Sequence, residues 1–574
     1  MQDATIIAME VPQYSELVRT LLARRGVESE EDITAFLSPD YVRHTHDPFL
    51  LQGMERAVSR VLAAIAGNER IAIYADFDCD GIPGAALLGD FFRKIGYENF
   101  EVYLPHRDRE GYGFHTEAIA TLSARGVTLI ITIDVGTKAV EAVQYAKDLP
   151  AGKAGKGVDV IVTDHHEVSG VLPDAVAVLN PKIEGYPFPH LCGAAVAFKL
   201  AHALLLEGRR RELARFTSIP EGWEKWLLDM VAIATIADMV PLVGENRALA
   251  HWGLAVLRKS PRPGIIALCN KVRLRQRDIT ENDIGFSIAP RINAASRMDE
   301  PMLALELLTT ASRDRAEELA SQLEKLNTKR KSVVATVVKQ ARKHVDARYR
   351  PEDRVVVLGN PEWKPALLGL AANSIMGDRG GVVCMWGRDA LGNLKGSCRS
   401  DGEVSVVELF ANAGDVFVEY GGHDASGGFS VSHEKVHHLP EALVAASLKL
   451  AATPSVVEGP THDFLLTLSE ISGALLKDVS RLAPFGMSNP KPVFLLSGTR
   501  VIGVKRFGKE SNHVEVLLEC RTTGRGMRAF DFFRSPDDFS VCPAPGVAAG
   551  ILATIERDSF RGGLTLRIVD VISA

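Results

Sequence analysis

The chain has 574 residues, of which 46% are apolar and 24% are charged, and its formal net charge is −6. This length and composition are typical of a soluble protein of three or four domains, at about 150 residues per domain. The acidic balance does not indicate a nucleic-acid-binding protein, although a local basic groove is compatible with it. The seven cysteines are scattered without a CxxC pair, which argues against a disulfide framework or a structural zinc site and favours a cytoplasmic location. We find no signal peptide and no 18-residue apolar run, so no contact with a membrane is expected.

Short helices and loops are predicted for an N-terminal segment, residues 1–50. From residue 69 the apolar runs IAIYA, VTLIITI and VDVIVT alternate with segments of helical periodicity. Apolar runs without polar alternation are typical of strands buried on both faces of a parallel sheet. Residues 51–310 are therefore predicted to form an α/β domain with a parallel sheet, and their later part is mostly helical.

Three further segments are predicted. Residues 311–349 are predicted to form one long connecting helix, because the charged stretch from residue 313 to 349 contains no Gly or Pro. Residues 350–452 again combine strands and helices and indicate a second, smaller α/β domain. Residues 459–574 contain short strands separated by turns, which predicts a small β-barrel of the OB-fold type.

The stretch YADFDCDG places three carboxylates, Asp76, Asp78 and Asp80, at every second position. The pattern matches the first half of an EF-hand calcium loop. However, Leu87 stands where that loop needs its last glutamate, and the preceding residues are predicted to form a strand instead of a helix. The calcium-loop interpretation fails on both counts, whereas a solvated acidic turn stays open for this stretch alone.

Two more predicted strands end in residues that can bind metals. Asp134 follows the second of these strands, and Asp164, His165 and His166 follow the third. The carboxyl ends of neighbouring parallel strands meet in one crevice, so we expect these side chains to converge, with Asp238 as a further acid. Mixed Asp and His ligands without Cys favour Mn²⁺ or Mg²⁺, and two ions about 3.5–4 Å apart are typical of phosphodiester hydrolases.

The motifs DFDCDG, IDVG, TDHHE and ATIADMVPL resemble the four ordered motifs of the DHH phosphoesterases. PHRDREGYGF, APRINAASRM, LKGSCRS, YGGHDASGGF and APFGMSNPKPVF are similar to stretches of one branch, the RecJ family of single-strand-specific 5′→3′ exonucleases. The resemblance extends from about residue 35 to the end. It implies a DHH domain, a connecting helix, a DHHA1 domain and an OB-fold domain, and an enzyme that releases 5′ mononucleotides from single-stranded DNA in recombination and repair.

The resemblance also implies a set of site residues. Two ions, Mn²⁺ or Mg²⁺, would be held by Asp76, Asp78, Asp80, Asp134, His165 and Asp238. Asp134, Asp164 and His166 would be catalytic, His166 either at the scissile phosphate or as an orienting group, and whether Asp76 binds metal directly is open. The substrate would be recognised by Arg107, Asn293, Arg297, Ser397, Arg399, Gly421, Gly422 and His423. A surface ion pair is the alternative for an arginine, and a tight structural turn is the alternative for the two glycines.

The sequence departs from the family pattern at Ser296 and Asp424, where Gly and Ala are usual. In the barrel, Lys505, Arg506, Phe507, Arg525 and Arg528 are candidates for gripping the strand, with core packing as the alternative for Phe507. The family implies a monomer, with a single-strand-binding protein and a helicase as partners. Two other functions stay open: a DHH phosphodiesterase for short RNA or cyclic dinucleotides, which needs no barrel, and a catalytically silent DNA-binding replication scaffold, which needs no metal ligands.

Overall fold

The computed structural model of the chain describes residues 14–149, 157–168, 170–298, 300–450, 461–508, 511–558 and 562–573. These residues divide into two compact units. The smaller unit contains the described residues of 1–44, 241–248 and 457–574, and the larger contains those of 45–240 and 249–456. No helix among the described residues is long and apolar enough to cross a membrane.

The first part of the chain contains short helices and then the predicted parallel sheet. Its elements are α1 (Glu16–Ala23), α2 (Glu30–Leu37), α3 (Met54–Ala66), β1 (Arg70–Ala75), α4 (Gly81–Lys94), β2 (Phe100–Tyr103), α5 (Thr116–Ala124), β3 (Val127–Ile133), α6 (Val140–Asp148), β4 (Asp159–Thr163) and β5 (Ala177–Leu179). The five strands are all parallel, in the order β2-β1-β3-β4-β5. Strands β1, β3 and β4 are almost entirely buried, as their unbroken apolar runs predict.

A helical region follows the sheet, as predicted. Its elements are α7 (Gly193–Arg210), α8 (Ala214–Thr217), α9 (Leu228–Ala237), α10 (Gly244–Leu257), α11 (Pro263–Lys271), α12 (Glu281–Asp283), α13 (Ala289–Arg297) and α14 (Pro301–Thr309). A π-helical turn over Ile284–Ile288 joins α12 to α13. Helices α4 and α7 bury nearly every residue of their first three turns, because they pack between the sheet and the other helices.

One helix, α15 (Arg313–Arg348), covers 36 residues and confirms the predicted connecting helix. The second α/β region then contains β6 (Val355–Gly359), α16 (Pro365–Arg379), β7 (Val382–Arg388), β8 (Leu394–Ser400), α17 (Val406–Asn412), β9 (Glu419–His423), β10 (Ser426–Val431) and α18 (Leu439–Lys449). Its sheet has the order β6-β7-β8-β10-β9, and only the β6–β7 pair is parallel.

The last region is the predicted barrel. It contains β11 (Phe464–Leu466), α19 (Gly473–Ser480), β12 (Phe494–Phe507), β13 (His513–Cys520), β14 (Gly526–Phe532), β15 (Ala548–Arg557) and β16 (Leu564–Ser573). The pairing of β12 with β15 closes five strands into a barrel, β12-β13-β14-β16-β15. The apolar faces of α1 and α2 belong to the barrel's core: Leu17, Val18, Leu21 and Leu22 lie in one buried cluster with strand residues such as Val514. The predicted boundary between residues 452 and 459 lies outside the described residues, and the domain limits inside the larger unit stay a prediction.

Candidate metal centre

Three acids stand directly after the central strands of the parallel sheet. Asp76 follows β1, Asp134 follows β3 and Asp164 follows β4. The strands stay tied together beyond their ends, because the N–H of Asp76 donates to Ile133 O (3.1 Å) and that of Asp134 donates to Thr163 O (2.9 Å). The acids are therefore held side by side at one edge, where ligands of such sheets bind.

The predicted ligands converge at this edge. Their nitrogen and carboxylate oxygen atoms form groups in which all atoms lie within 4.8 Å of one another. The groups are Asp76, Asp78 and Asp134; Asp80, His165 and Asp238; and Asp134, His165 and His166. The first two groups share no residue, so the site offers two separate ligand sets, and Asp134 lies beside both. His165 Nε2 is 3.2 Å from Asp134 Oδ1 and 3.6 Å from Asp238 Oδ2.

Hydrogen bonds distinguish the acids from one another. Asp80 is buried and accepts from the first N–H groups of α7, Gly193 N (2.6 Å) and Ala194 N (2.7 Å), which is a favourable place for a carboxylate. Asp78 Oδ1 accepts from the backbone N–H of Asp80 at 2.8 Å. In contrast, Oδ1 of Asp76 and Oδ1 of Asp134 are buried without a hydrogen-bond partner. Because such atoms are costly to bury, these two oxygens fit direct metal ligation best.

The electrostatics of the cluster also favour the binding of a cation. Burial, and then the neighbouring Asp78, raise the pKa of Asp80 to about 7 and that of Asp76 well above its usual range. Burial, and then Asp80, do the same to the pKa of Asp134. Burial and the nearby His166 lower the pKa of His165 to about 3, so its imidazole is neutral, as a metal ligand must be. The donor set, mostly carboxylate with one imidazole, fits Mn²⁺ or Mg²⁺.

Two glycines permit the close packing of these acids. A Cβ atom on Gly81 would lie 2.2 Å from Asp76 O, and one on Gly193 would lie 2.6 Å from Asp134 Cβ. Asp134 itself has a φ of +62°, a left-handed conformation that is uncommon for residues other than glycine. Backbone strain of this kind is concentrated at functional sites.

Asp164 contributes to the site through His166. Its Oδ1 accepts from His166 Nδ1 (2.7 Å) and His165 N (2.8 Å), and its Oδ2 accepts from Thr137 N (2.8 Å). Burial opposes ionisation of Asp164, but these hydrogen bonds, that of His166 first, lower its pKa below the usual range. Burial likewise disfavours the imidazolium of His166, yet its hydrogen bond to Asp164 raises its pKa. Asp164 therefore orients His166 and favours its imidazolium form.

Sequence reasoning missed two residues that hold His166 in place. Asn180 Nδ2 donates to His166 O (2.9 Å) and to Thr137 Oγ1 (3.0 Å). The Tyr112 hydroxyl lies 3.2 Å from His166 Nδ1 and donates to Asp134 O (3.2 Å). Two sequence signals were available: Asn180 lies in LNP at the end of β5, and Tyr112 lies in EGYGF shortly before α5.

Three of the predicted substrate-binding arginines lie together near Asp78. Burial, and then the proximity of Arg107, lower the pKa of Arg297 to about 9, and Arg330 and Arg399 also contribute. Within the described ranges, no carboxylate oxygen lies within 4.0 Å of Arg107, Arg297 or Arg399. Arg330, which sequence reasoning missed, leaves its buried Nε without a partner. A cluster of guanidinium groups that form no close ion pair with a carboxylate fits an anionic ligand.

The other predicted substrate residues occupy different positions. Asn293 Oδ1 accepts from Cys79 N (3.0 Å) and so supports the loop, residues 76–80, that carries the first three acids. Ser397 lies in β8, two residues before Arg399, and is paired with Gly428 of β10. Gly421, Gly422 and His423 lie in the exposed strand β9. A Cβ atom on Gly422 would lie 2.3 Å from Ser426 O, so this glycine also has a structural reason to be present.

The two departures from the family pattern have local partners. The Ser296 hydroxyl donates to Asn293 O inside α13 (3.3 Å). Asp424 Oδ1 accepts from the hydroxyl of Ser405 (2.8 Å), the residue that caps α17. Neither residue adds a charge to the metal cluster.

Most of the charged candidates in the barrel are used internally. Arg525 donates to Ser469 O and Ile471 O, and Arg528 pairs with Asp558. Phe507 instead joins a group of rings defined here as the barrel aromatic cluster: Phe507, His513, Phe530, Phe532 and Phe533. Phe533 is 79% exposed and has a φ of +56°, an outlier for so bulky a residue.

Two family models match the chain. The model described as "DHH family, N-terminal domain" matches residues 70–235, and that described as "RecJ OB domain" matches residues 462–570. The first spans the parallel sheet and every residue of the metal centre except Asp238, and the second spans the barrel.

Similar proteins agree with these matches. The single-stranded-DNA-specific exonuclease RecJ of Haemophilus influenzae is 30% identical over 97% of this chain and 95% of the relative. RecJ of Bacillus subtilis is 33% identical over 90% of this chain, which spans only 63% of that relative's length. A crystal structure of RecJ from Thermus thermophilus in complex with Mn²⁺ has a TM-score of 0.78 and 25% identity, over 97% of this chain and 76% of that one. The chain therefore belongs to the RecJ family of the DHH superfamily.

Proposed function

We propose that the protein is a metal-dependent exonuclease that degrades single-stranded DNA in the 5′→3′ direction and releases 5′ mononucleotides. The observation that carries the proposal is the pair of ligand sets that share no residue, Asp76–Asp78–Asp134 and Asp80–His165–Asp238. Two divalent ions at such a site suit phosphodiester hydrolysis. Family membership supplies the substrate.

The proposed metal ligands are Asp76, Asp78, Asp80, Asp134, His165 and Asp238. Bound Mn²⁺ or Mg²⁺ ions supply Lewis-acid stabilisation of phosphate charge and lower the pKa of a coordinated water. Asp76 and Asp134 offer buried oxygens that accept no hydrogen bond, so we assign both as direct ligands. Asp80 holds α7 against the site as well as offering its remaining lone pairs.

His166 is the proposed catalytic residue beside the scissile phosphate. Its Nδ1 is held by Asp164 and its carbonyl by Asn180, and its Nε2, which lies 3.4 Å from the Tyr112 hydroxyl, is the proposed donor to the substrate. A cationic donor stabilises the negative charge that develops on phosphate oxygens in the transition state. Asp164 is thus assigned a positioning role.

The polarity of the reaction would be set by the arginine cluster near Asp78. Arg107, Arg297 and Arg399, with Ser397, are the proposed ligands of a 5′ phosphate, because guanidinium groups that form no close ion pair can bind phosphate with two hydrogen bonds each. Asn293 supports the loop of residues 76–80 through its hydrogen bond to Cys79 N. Gly421, Gly422 and His423 are proposed to border the strand's path at the exposed β9.

The barrel is proposed to hold the incoming strand by stacking. The barrel aromatic cluster lies at one end of β13 and β14, and its exposed member Phe533 can stack on an unpaired base. The barrel argues against a DHH phosphodiesterase for short RNA or cyclic dinucleotides, which would not need it. The complete ligand sets argue against a catalytically silent scaffold. We also place the enzyme in the cytoplasm as a monomer, and the family implies a single-strand-binding protein and a helicase as its partners.

One assay compares these functions. The protein is incubated with 5′-labelled single-stranded DNA, single-stranded RNA of the same sequence, duplex DNA and a cyclic dinucleotide, each with Mn²⁺, with Mg²⁺ or with EDTA. We expect metal-dependent release of a labelled mononucleotide from the single-stranded DNA and at least tenfold slower turnover of the other substrates. Hydrolysis of the cyclic dinucleotide alone, or of nothing, would contradict the proposal.

A further inference from the structure

Helix α15 has two oppositely charged parts. Residues 313–324 contain four acids and two arginines, whereas residues 325–348 contain eight lysines and arginines and a single acid, Asp346. At 1.5 Å per residue, the basic part is about 36 Å long. A straight basic segment of this length on a protein with a net charge of −6 is a local exception to the overall charge.

One face of this basic part forms a continuous stripe. At about 100° per residue, six residues spaced by three or four positions lie within about 80° of one another around the helix axis. They are Lys325, Lys329, Ser332, Thr336, Lys339 and Lys343, and all six are exposed. We call them the α15 stripe. Its four lysines and the Ser332 hydroxyl are able to donate to phosphate oxygens, whereas the Thr336 hydroxyl donates to Ser332 O (3.0 Å). No acid interrupts the stripe.

At the start of the stripe, α15 and the end of α11 border a groove of about 490 Å³. The groove is lined by Lys271, Lys325 and Lys329, together with hydroxyls including that of Ser321, to which Lys271 Nζ donates at 3.1 Å. Its acid, Glu324, is already paired with Arg291 at 2.6 Å.

The lysines of this surface have no counter-charges. Over the ranges that the structure describes, no carboxylate oxygen lies within 4.0 Å of the ammonium groups of Lys271, Lys325, Lys329, Lys339 or Lys343. By comparison, Arg342 on the same helix pairs with Asp378. Unpaired ammonium groups along one line fit a regularly spaced polyanion.

We propose that the groove and the α15 stripe bind the phosphate backbone of duplex DNA. The stripe and the groove contain no aromatic residue on which an unpaired base could stack, and single-strand sites depend on such stacking. Lysines and hydroxyls instead suit backbone contacts that read no sequence. The basic part of α15 matches one helical turn of B-DNA, about 34–36 Å. The inference goes beyond the proposed exonuclease function: the enzyme would hold the duplex that adjoins its single-stranded substrate.

The test compares two double variants of equal charge change on the same helix. The first variant alters the stripe by Lys325→Glu with Lys329→Glu. The control variant carries Lys331→Glu with Arg348→Glu, two exposed positions that lie more than about 100° around the helix from the centre of the stripe. Affinity is measured at several salt concentrations for a 20-nucleotide single strand and for the same strand continued into a 20-base-pair duplex. Circular dichroism checks that both variants fold.

We expect the stripe variant to bind the tailed duplex at least tenfold more weakly than the unaltered protein does, with the slope of log K against log salt reduced by about 2. The affinity of the stripe variant for the single strand, and the rate at which it cleaves that strand, should stay within twofold of those of the unaltered protein. Unchanged affinity for the tailed duplex, an equal loss for both DNAs, or an equal loss in the control variant would each overturn the inference. The comparison is independent of the proposed function, since binding is measured whether or not the protein cleaves the strand.

Discussion

Replacing Asp134 with Asn should stabilise the metal-free protein while removing its response to metal. Asp134 is buried, has an unpartnered Oδ1, and lies within 4.8 Å of ligand oxygens of Asp76 and Asp78. At 4.8 Å and an effective dielectric constant of about 20, two full charges repel by about 3–4 kcal/mol. Protonation of the cluster relieves part of this repulsion, so we expect the substitution to raise the free energy of unfolding by about 1–2 kcal/mol. Asn also tolerates the left-handed backbone at this position.

The assay is thermal unfolding in EDTA and then with Mn²⁺. In EDTA, Asp134→Asn should melt about 1–2 °C above the unaltered protein, because the unfolding entropy of so large a unit is high. Mn²⁺ at about a hundred times its dissociation constant should stabilise the unaltered protein by about 2.7 kcal/mol and the variant much less. Asp164→Asn is the matched control: Asp164 accepts hydrogen bonds from His166, His165 and Thr137, so the control should melt lower than the unaltered protein. The reasoning is refuted if Asp134→Asn melts lower in EDTA, or if Mn²⁺ raises its melting temperature as much as that of the unaltered protein.

Three further substitutions test other parts of the site. Gly193→Ala should reduce turnover at least tenfold and destabilise the protein by about 1–3 kcal/mol, because the new Cβ would lie 2.6 Å from that of Asp134. The control Gly377→Ala, at a glycine with open space around it, should have neither effect, and an active Gly193→Ala enzyme would contradict the packing argument. Arg399→Ala should lower kcat/KM about 10- to 100-fold for 5′-phosphorylated strands but little for 5′-hydroxyl strands. Arg388→Ala, at an exposed arginine, is the control, and an equal loss on both kinds of strand would contradict the proposed phosphate contact. Phe533→Ala should weaken single-strand affinity by about 1–3 kcal/mol in an anisotropy titration, unlike Leu465→Ala at another exposed apolar position of the barrel; unchanged affinity would refute stacking.

The sheet, the long helix and the metal ligands could be predicted because their signals are local. An apolar run that ends in an acid indicates both a buried strand and a functional group at its carboxyl end, and three such runs share one edge in any parallel sheet. The absence of breakers after residue 312 likewise predicted α15, which begins at Arg313 and ends at Arg348.

What the sequence could not show depends on partners distant in the chain. The apolar faces of α1 and α2 indicate that these helices pack against something, but not that it is the barrel more than 400 residues later. Arg525 and Arg528 carry the charge expected of DNA contacts, yet carbonyls and Asp558 already occupy them. The DHH triplet predicted a site, but its division into an orienting Asp164, a neutral His165 and a His166 with a raised pKa depends on which hydrogen bonds form.

The central claim is that these acids and His165 hold two divalent ions in separate ligand sets. The anomalous scattering of a crystal soaked in Mn²⁺ with a short 5′-phosphorylated strand tests it most directly. The account predicts two anomalous peaks, one bounded by Asp76, Asp78 and Asp134 and the other by Asp80, His165 and Asp238. A single peak, or strong peaks only outside this cluster, would contradict it.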